Sequence, residues 1–95
     1  MSTVSQVIVD TLALHGISRV CCVPGESYLG LLDALHGRTD VDTVVCRHEA
    51  GAGLMALADA RLTGRPGVAL VSRGPGASNA AIAVHTAQQD GVPFL

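Results

Sequence analysis

The sequence predicts a three-layer α/β fold, an open parallel sheet with helices on both faces. Short apolar, β-branched segments alternate with longer segments of helical periodicity along the 95 residues. Parallel neighbours need a crossover between them, so this alternation favours a parallel sheet. Hydrophobic residues make up 48% of the chain, but its aromatic residues are only Tyr28 and Phe94. Cores of Val, Leu, Ile and Ala are typical of strands buried on both faces.

The first helix and strand are predicted from a cap, an apolar run and two breakers. Thr3 and Gln6 have the spacing of a capping box, and apolar residues then recur at helical intervals. Gly16 suits a left-handed helix stop. Residues 19–23 are short, apolar and β-branched and are followed by Pro24, which predicts a buried strand ending in a tight loop.

The second unit repeats this pattern. Ser27 is expected to cap the second helix, and Gly37 is expected to close it. A second strand is predicted at residues 43–46. A turn at residues 47–49 then leads into a helix at residues 50–63.

The third unit is predicted as a strand at residues 68–72, a loop at 73–76 and a helix at 77–90. A fourth strand is expected to begin at residues 92–95. Ligands of open α/β sheets bind beyond the carboxyl ends of the strands. We therefore expect function in the loops at residues 24–27, 47–49 and 73–79.

Composition excludes several classes of partner. A net charge of −2 offers no cationic stripe for nucleic acid. The apolar stretches fall far short of the roughly 20 residues that span a bilayer, so no membrane segment is expected. The start lacks the basic residues of a secretory signal, and we expect a cytoplasmic protein. The cysteines lack metal-ligand spacing, so we expect no metal site on them and interpret them as small buried strand residues: Cys21, Cys22 and Cys46.

The loop Gly74-Pro75-Gly76 opens the last predicted helix, where backbone N–H groups attract anions. A dinucleotide-binding fingerprint requires G-x-G-x-x-G, but Asn79 replaces the last Gly and Pro75 removes a donor. A nucleotide-binding Rossmann protein is therefore disfavoured. A plain tight turn and a ligand-facing turn both remain open from these residues alone.

Glu49 has two interpretations. A carboxylate at a helix start complements the helix dipole, which is a structural role. Alternatively, Glu49 lies between an apolar strand and a helix of small residues, where burial would raise its pKa and favour a proton-sharing carboxyl.

Four motifs in order carry a resemblance to a known family. The motifs are Val23-Pro-Gly-Glu26, Arg47-His-Glu-Ala-Gly-Ala-Gly-Leu-Met-Ala56, Ala60-Arg-Leu-Thr-Gly64 and Gly74-Pro-Gly-Ala-Ser-Asn79. With them the sequence resembles the acetolactate synthase-like family of thiamine diphosphate enzymes, in their N-terminal, pyrimidine-binding domain, across nearly all 95 residues. The resemblance implies the thiamine diphosphate-binding fold of the pyrimidine type over residues 1–95, as an incomplete domain without the central and diphosphate-binding domains.

The resemblance also implies site residues. Glu49 would be catalytic, hydrogen-bonding N1′ of the cofactor's aminopyrimidine and promoting the tautomer that removes the thiazolium C2 proton. Pro24, Gly25, Pro75 and Asn79 would lie around the pyrimidine ring.

The cofactor would be thiamine diphosphate, with Mg²⁺ bound by the diphosphate domain, and the resemblance leaves FAD open. The substrate would be a 2-oxo acid, and the enzyme a carboligase or decarboxylase working as a homodimer or homotetramer. Alone, these 95 residues are expected to be inactive.

Three positions depart from the family pattern and bear on the substrate. Ala50 stands where Gln is frequent, Leu54 where acetolactate synthases usually have Phe, and Asp59 where Tyr is common. The alternative function is a noncatalytic α/β interaction or small-ligand module that retains the fold only.

Overall fold

The computed structural model describes all of residues 1–95, as a parallel sheet with four α-helices, and confirms the α/β class. The three strands are parallel and have the order β2-β1-β3. The elements are α1 (Val4–Leu14), β1 (Arg19–Cys22), a 3-10 turn (Glu26–Tyr28), α2 (Leu29–Leu35), β2 (Asp42–Val45), α3 (Glu49–Thr63), β3 (Ala69–Leu70) and α4 (Arg73–Asp90).

Helices cover both faces of the sheet, as predicted. The central strand β1 packs with alternate side chains, Val20 on one face and Cys21 on the other. The first face is covered by α1 and α2, and the second by α3, against which α4 packs. The buried hydrophobic cluster on the first face contains Val9, Ile17, Val20, Leu35, Val41 and Val68, and that on the second face contains Cys21, Ala52 and Ala56.

The cysteine prediction holds for the two residues on β1. Cys21 and Cys22 are buried, whereas Cys46, just beyond β2, is only partly buried. Burial raises the pKa of Cys21 to about 11, and the neighbouring Cys46 adds to this shift.

The first helix begins as predicted, but the second does not. The Gln6 backbone N–H donates to the Thr3 hydroxyl at 3.1 Å and Gln6 accepts from the Thr3 N–H at 2.8 Å, which completes the capping box. The Ser27 cap is wrong, because α2 has no side-chain cap and a 3-10 turn precedes it. The Ser27 hydroxyl instead hydrogen-bonds Ser72.

The third unit differs from the prediction at the boundary between strand and helix. β3 has only two residues, and α4 begins at Arg73, so the predicted loop at residues 73–76 forms the first turn of that helix. Pro75 is compatible with this turn because the first N–H groups of a helix have no partner within it. The fourth strand begins as expected, since Leu95 donates to Gly67 O at 2.7 Å and Phe94 bridges Gly67.

None of the helices combines the length and the hydropathy that crossing a bilayer requires.

Candidate functional site

Every residue predicted for the site lies at the carboxyl edge of the sheet. Pro24 and Gly25 follow β1, Glu49 is the first residue of α3 after β2, and Pro75 and Asn79 lie in the first two turns of α4 after β3. The parallel order of the strands brings these three segments to one edge.

Glu49 and Asn79 are in direct contact. Asn79 Nδ2 donates a hydrogen bond to Glu49 Oε1 at 3.0 Å. One helical turn further along, a Cβ placed on Gly53 would lie 2.5 Å from the Ala83 Cβ, so α3 and α4 approach closely there. This close, parallel packing brings the carboxylate of one helix within reach of the amide of the other.

The pKa of Glu49 is lowered from its ordinary value. The main cause is the hydrogen bond from Asn79, followed by the backbone N–H at Glu49, while partial desolvation acts in the opposite direction. The interpretation that burial raises this pKa is therefore wrong for the chain as it stands. Glu49 is partly buried and ionised at neutral pH.

His48 prepares the start of α3. Its Nδ1 accepts a hydrogen bond from the Ala50 backbone N–H at 3.0 Å, which caps the helix. The positive end of the α3 dipole therefore lies at Glu49, so the dipole and catalytic interpretations of this carboxylate describe the same position.

The bond from Asn79 to Oε1 is the only hydrogen bond that joins the Glu49 side chain to another residue, so no other residue donates to the second carboxylate oxygen, Oε2. Gly76 leaves the space beside it, since a Cβ at that position would lie 3.3 Å from Oε2. The arrangement can therefore offer one carboxylate oxygen to an external donor while Asn79 holds the other.

Pro24 and Gly25 lie on a neighbouring segment and form no hydrogen bond with Glu49. Gly25 instead packs against Ser72, where an added Cβ would lie 2.3 Å from the Ser72 Cβ. The structure thus brings Glu49 and Asn79 together directly, and it packs Gly25 against Ser72 at the start of α4.

Neither Tyr28 nor Ser72 was among the predicted site residues, although both organise this edge. Tyr28 is 9% exposed, and its hydroxyl lies within hydrogen-bond reach of the carbonyls of Val23, just after β1, and Leu70, the last residue of β3. Burial raises the pKa of Tyr28 to about 12, with smaller contributions from Cys22 and Glu49. The sequence signal for Tyr28 was its position soon after a predicted strand, in a chain with only two aromatic residues.

The cavities of the surface lie away from these residues. Two open hollows of about 330 and 370 Å³ border Arg38, and a third of about 250 Å³ lies between β1 and α3 at Arg19 and Met55. No group of three or more His, Cys, Asp or Glu side chains converges in the structure. The site at Glu49 is consequently an open surface.

Comparison with known proteins gives consistent matches along the whole chain. Residues 2–95 match the family model described as thiamine pyrophosphate enzyme, N-terminal TPP binding domain. An acetolactate synthase from Bacillus subtilis is 43% identical over 91 residues, covering 96% of this chain and 16% of that protein. A probable 2-ketoarginine decarboxylase from Pseudomonas aeruginosa is 43% identical over 93 residues, covering 98% of this chain and 16% of that protein. The Escherichia coli acetolactate synthase isozyme 3 large subunit is 41% identical over 91 residues, covering 96% of this chain and 16% of that protein.

Proposed function

The chain belongs to the thiamine pyrophosphate enzymes, whose N-terminal TPP binding domain it matches over residues 2–95, and from this premise we propose that it forms the pyrimidine-binding part of an active site for 2-oxo acids. The observation that carries the proposal is the Glu49 carboxylate, with Asn79 on one oxygen and the other oxygen unpartnered. The chain spans 16% of the length of the Bacillus subtilis relative, so the activity of a whole enzyme is itself part of this proposal.

The residues at this edge fit an aminopyrimidine ring. A protonated ring nitrogen donates a hydrogen bond, and a carboxylate oxygen that no other residue contacts can accept it. Gly76 leaves space beside that oxygen, and Pro24 and Pro75 are exposed and present no donor N–H of their own. When bound, thiamine diphosphate supplies an electron-accepting ring that stabilises the negative charge left by decarboxylation.

The protein's task in this proposal is to hold a hydrogen bond and a proton. Glu49 would bind ring atom N1′ through Oε2, and Asn79 would fix the carboxylate through Oε1. Pro24 and Gly25 would border the ring from the segment after β1, and Pro75 from the first turn of α4. Proton sharing becomes favourable when water is excluded, because desolvation raises the pKa of a carboxyl.

We propose that the reaction is carboligation or decarboxylation of a 2-oxo acid, since the relatives are named acetolactate synthase and 2-ketoarginine decarboxylase. Ala50 and Leu54, in the first two turns of α3, would then contribute to the choice of substrate, whereas Asp59 pairs with Arg19 at the start of β1, at the opposite end of the sheet. The proposal includes a cytoplasmic homodimer or homotetramer, with Mg²⁺ and the diphosphate group held by a separate domain.

The test is a hybrid enzyme in which this chain replaces the matching segment of the Bacillus subtilis acetolactate synthase. In the hybrid, Glu49→Gln should reduce the rate at saturating cofactor by at least about 100-fold, the lower range for a general acid or base. Asp33→Asn is the matched control, because Asp33 is an exposed carboxylate on α2, away from the site, and forms no ion pair.

Hydrogen-deuterium exchange at the cofactor's C2 atom identifies the step. Exchange that slows in parallel with the rate in Glu49→Gln supports the proposed role. Unchanged C2 exchange in a folded, active hybrid would contradict it. A well-folded hybrid that never turns over would favour the alternative, a noncatalytic module that keeps only the fold.

A further inference from the structure

Two segments beside the proposed cofactor site are joined by contacts that do not involve Glu49. We call this set the joint; it comprises Gly25, Glu26 and Ser27 after β1, and Ser72 and Arg73 at the start of α4. The hydroxyls of Ser27 and Ser72 share a hydrogen bond at 2.8 Å. Arg73 Nη2 lies 3.3 Å from Glu26 Oε1.

The joint holds the segments at direct contact. A Cβ on Gly25 would lie 2.3 Å from the Ser72 Cβ and 2.6 Å from its hydroxyl oxygen, closer than real Cβ atoms approach other atoms. Only glycine therefore permits this separation at position 25. The Ser27–Ser72 hydrogen bond spans the same contact, so packing and hydrogen bonding set one distance between the segments.

Stability does not account for the joint. The side chains of Arg73 and Glu26 are 69% and 77% exposed, and exposed ion pairs contribute little to folding. Arg73 also has a φ of 57°, the only positive φ outside glycine in the chain. A left-handed backbone is unfavourable for Arg and persists only where its surroundings hold it in place. The joint therefore retains a costly backbone beside the site, which points to a role in geometry.

We propose that Ser27 and Ser72 are positioning residues that set the separation of the segments Pro24-Gly25 and Pro75-Asn79. This inference rests on the proposed function, in which both segments would border the cofactor ring. Neither serine hydrogen-bonds Glu49, so the two act through the backbone on each side of the joint. Glu26 and Arg73 form the second, outer contact of the same joint.

The first experiment uses the 95-residue chain alone and measures amide hydrogen exchange residue by residue. Ser72→Ala should speed exchange of the amides at residues 25–28 and 73–76 by about two- to tenfold, the effect of one lost hydrogen bond on local opening. Ser72→Thr should retain slow exchange, because it keeps the hydroxyl. Ser78→Ala is the matched control on the same helix, since that hydroxyl is exposed and forms no side-chain hydrogen bond.

The exchange pattern decides between positioning and simple stability. An increase confined to the two segments supports the proposal. Equal acceleration across all of α3 and α4, or no change in the two segments, would overturn it.

The second experiment uses the hybrid enzyme and separates cofactor binding from turnover. Ser72→Ala should raise the thiamine diphosphate concentration for half-maximal activity by about two- to tenfold, with the rate at saturation largely kept. An unchanged half-saturation concentration would overturn the role of the joint while Glu49→Gln still tests the proposed function. Full activity of Glu49→Gln would refute the proposed function, and the exchange experiment on the chain alone would still decide on the joint.

Discussion

The close packing of α3 and α4 at Gly53 should control the state of Glu49. A Cβ at Gly53 would lie 2.5 Å from the Ala83 Cβ, whereas carbon atoms in ordinary contact lie about 3.5 to 4.0 Å apart. In Gly53→Ala the helices must therefore separate by about 1 to 1.5 Å. A similar shift one turn away would lengthen the 3.0 Å hydrogen bond from Asn79 to Glu49 beyond hydrogen-bond range.

Two opposing energies determine the stability of Gly53→Ala. Replacing Gly by Ala inside a helix contributes about 1 kcal/mol of helix propensity. Overpacking costs about 1 to 3 kcal/mol, so the net change is a loss of about 0 to 2 kcal/mol. Gly51 on the same helix has no atom within 4 Å of an added Cβ, so Gly51→Ala should gain up to about 1 kcal/mol without this penalty.

Urea denaturation measures the two stabilities, and NMR titration of the Glu49 carboxyl carbon measures its pKa. Since the Asn79 hydrogen bond is the main cause of the lowered pKa, Gly53→Ala should raise that pKa towards its ordinary value, and Gly51→Ala should leave it in place. The proposed link between helix packing and the Glu49 carboxylate would be refuted if Gly53→Ala stabilised the chain as much as Gly51→Ala, or if the pKa of Glu49 in Gly53→Ala equalled that of the wild type.

Two further predictions concern the strand ends and the joint. Tyr28→Phe should lower the free energy of unfolding by about 1 kcal/mol, because it removes the hydroxyl that lies within hydrogen-bond reach of the partly buried Val23 and Leu70 carbonyls. The wild type should lose stability as pH rises from 10 to about 12, because the folded pKa of Tyr28 is raised and the tyrosine of the unfolded chain deprotonates first. Chemical denaturation at pH 8 to 12 should therefore show a shallower loss of stability in Tyr28→Phe. Arg73→Gly should raise the melting temperature. Relief of the left-handed Arg backbone gains about 1 to 2 kcal/mol, whereas loss of the exposed ion pair with Glu26 costs at most about 1 kcal/mol. A lowered melting temperature would show that the backbone at Arg73 is not strained.

Local signals in the sequence sufficed for much of the fold. The capping box at Thr3 and Gln6 depends on residues three apart, so it could be predicted without knowledge of the tertiary structure. The hydrogen bond of Ser27 could not, because its partner Ser72 lies 45 residues away. Pro75 was interpreted as part of a loop, yet the same residue is compatible with a first helical turn.

The placement of Glu49 and Asn79 at one edge of the sheet was predictable, but the electrostatics of Glu49 were not. Parallel strands bring the residues that follow them to one edge, so Glu49 and Asn79 could be expected there from strand order alone. The direction of the pKa shift depends on which groups surround the carboxylate. The sequence indicated apolar neighbours, and the structure instead provides a donated hydrogen bond and partial exposure to water.

In the proposed function, this difference would let one carboxylate serve two states of the site. In the chain as it stands, the Asn79 hydrogen bond and the start of α3 favour the ionised form of Glu49, which would accept a hydrogen bond from a protonated ring nitrogen. A surface that covers the open edge would remove water and shift the pKa upward, while the Asn79 hydrogen bond to Oε1 would remain in place. In the proposed function, the domain therefore supplies the orientation of the acid group, and the surface that closes over it supplies the proton affinity. Asn79→Ala should then raise the pKa of Glu49 in the open chain but impair its orientation, so in the hybrid enzyme it should slow turnover rather than speed it.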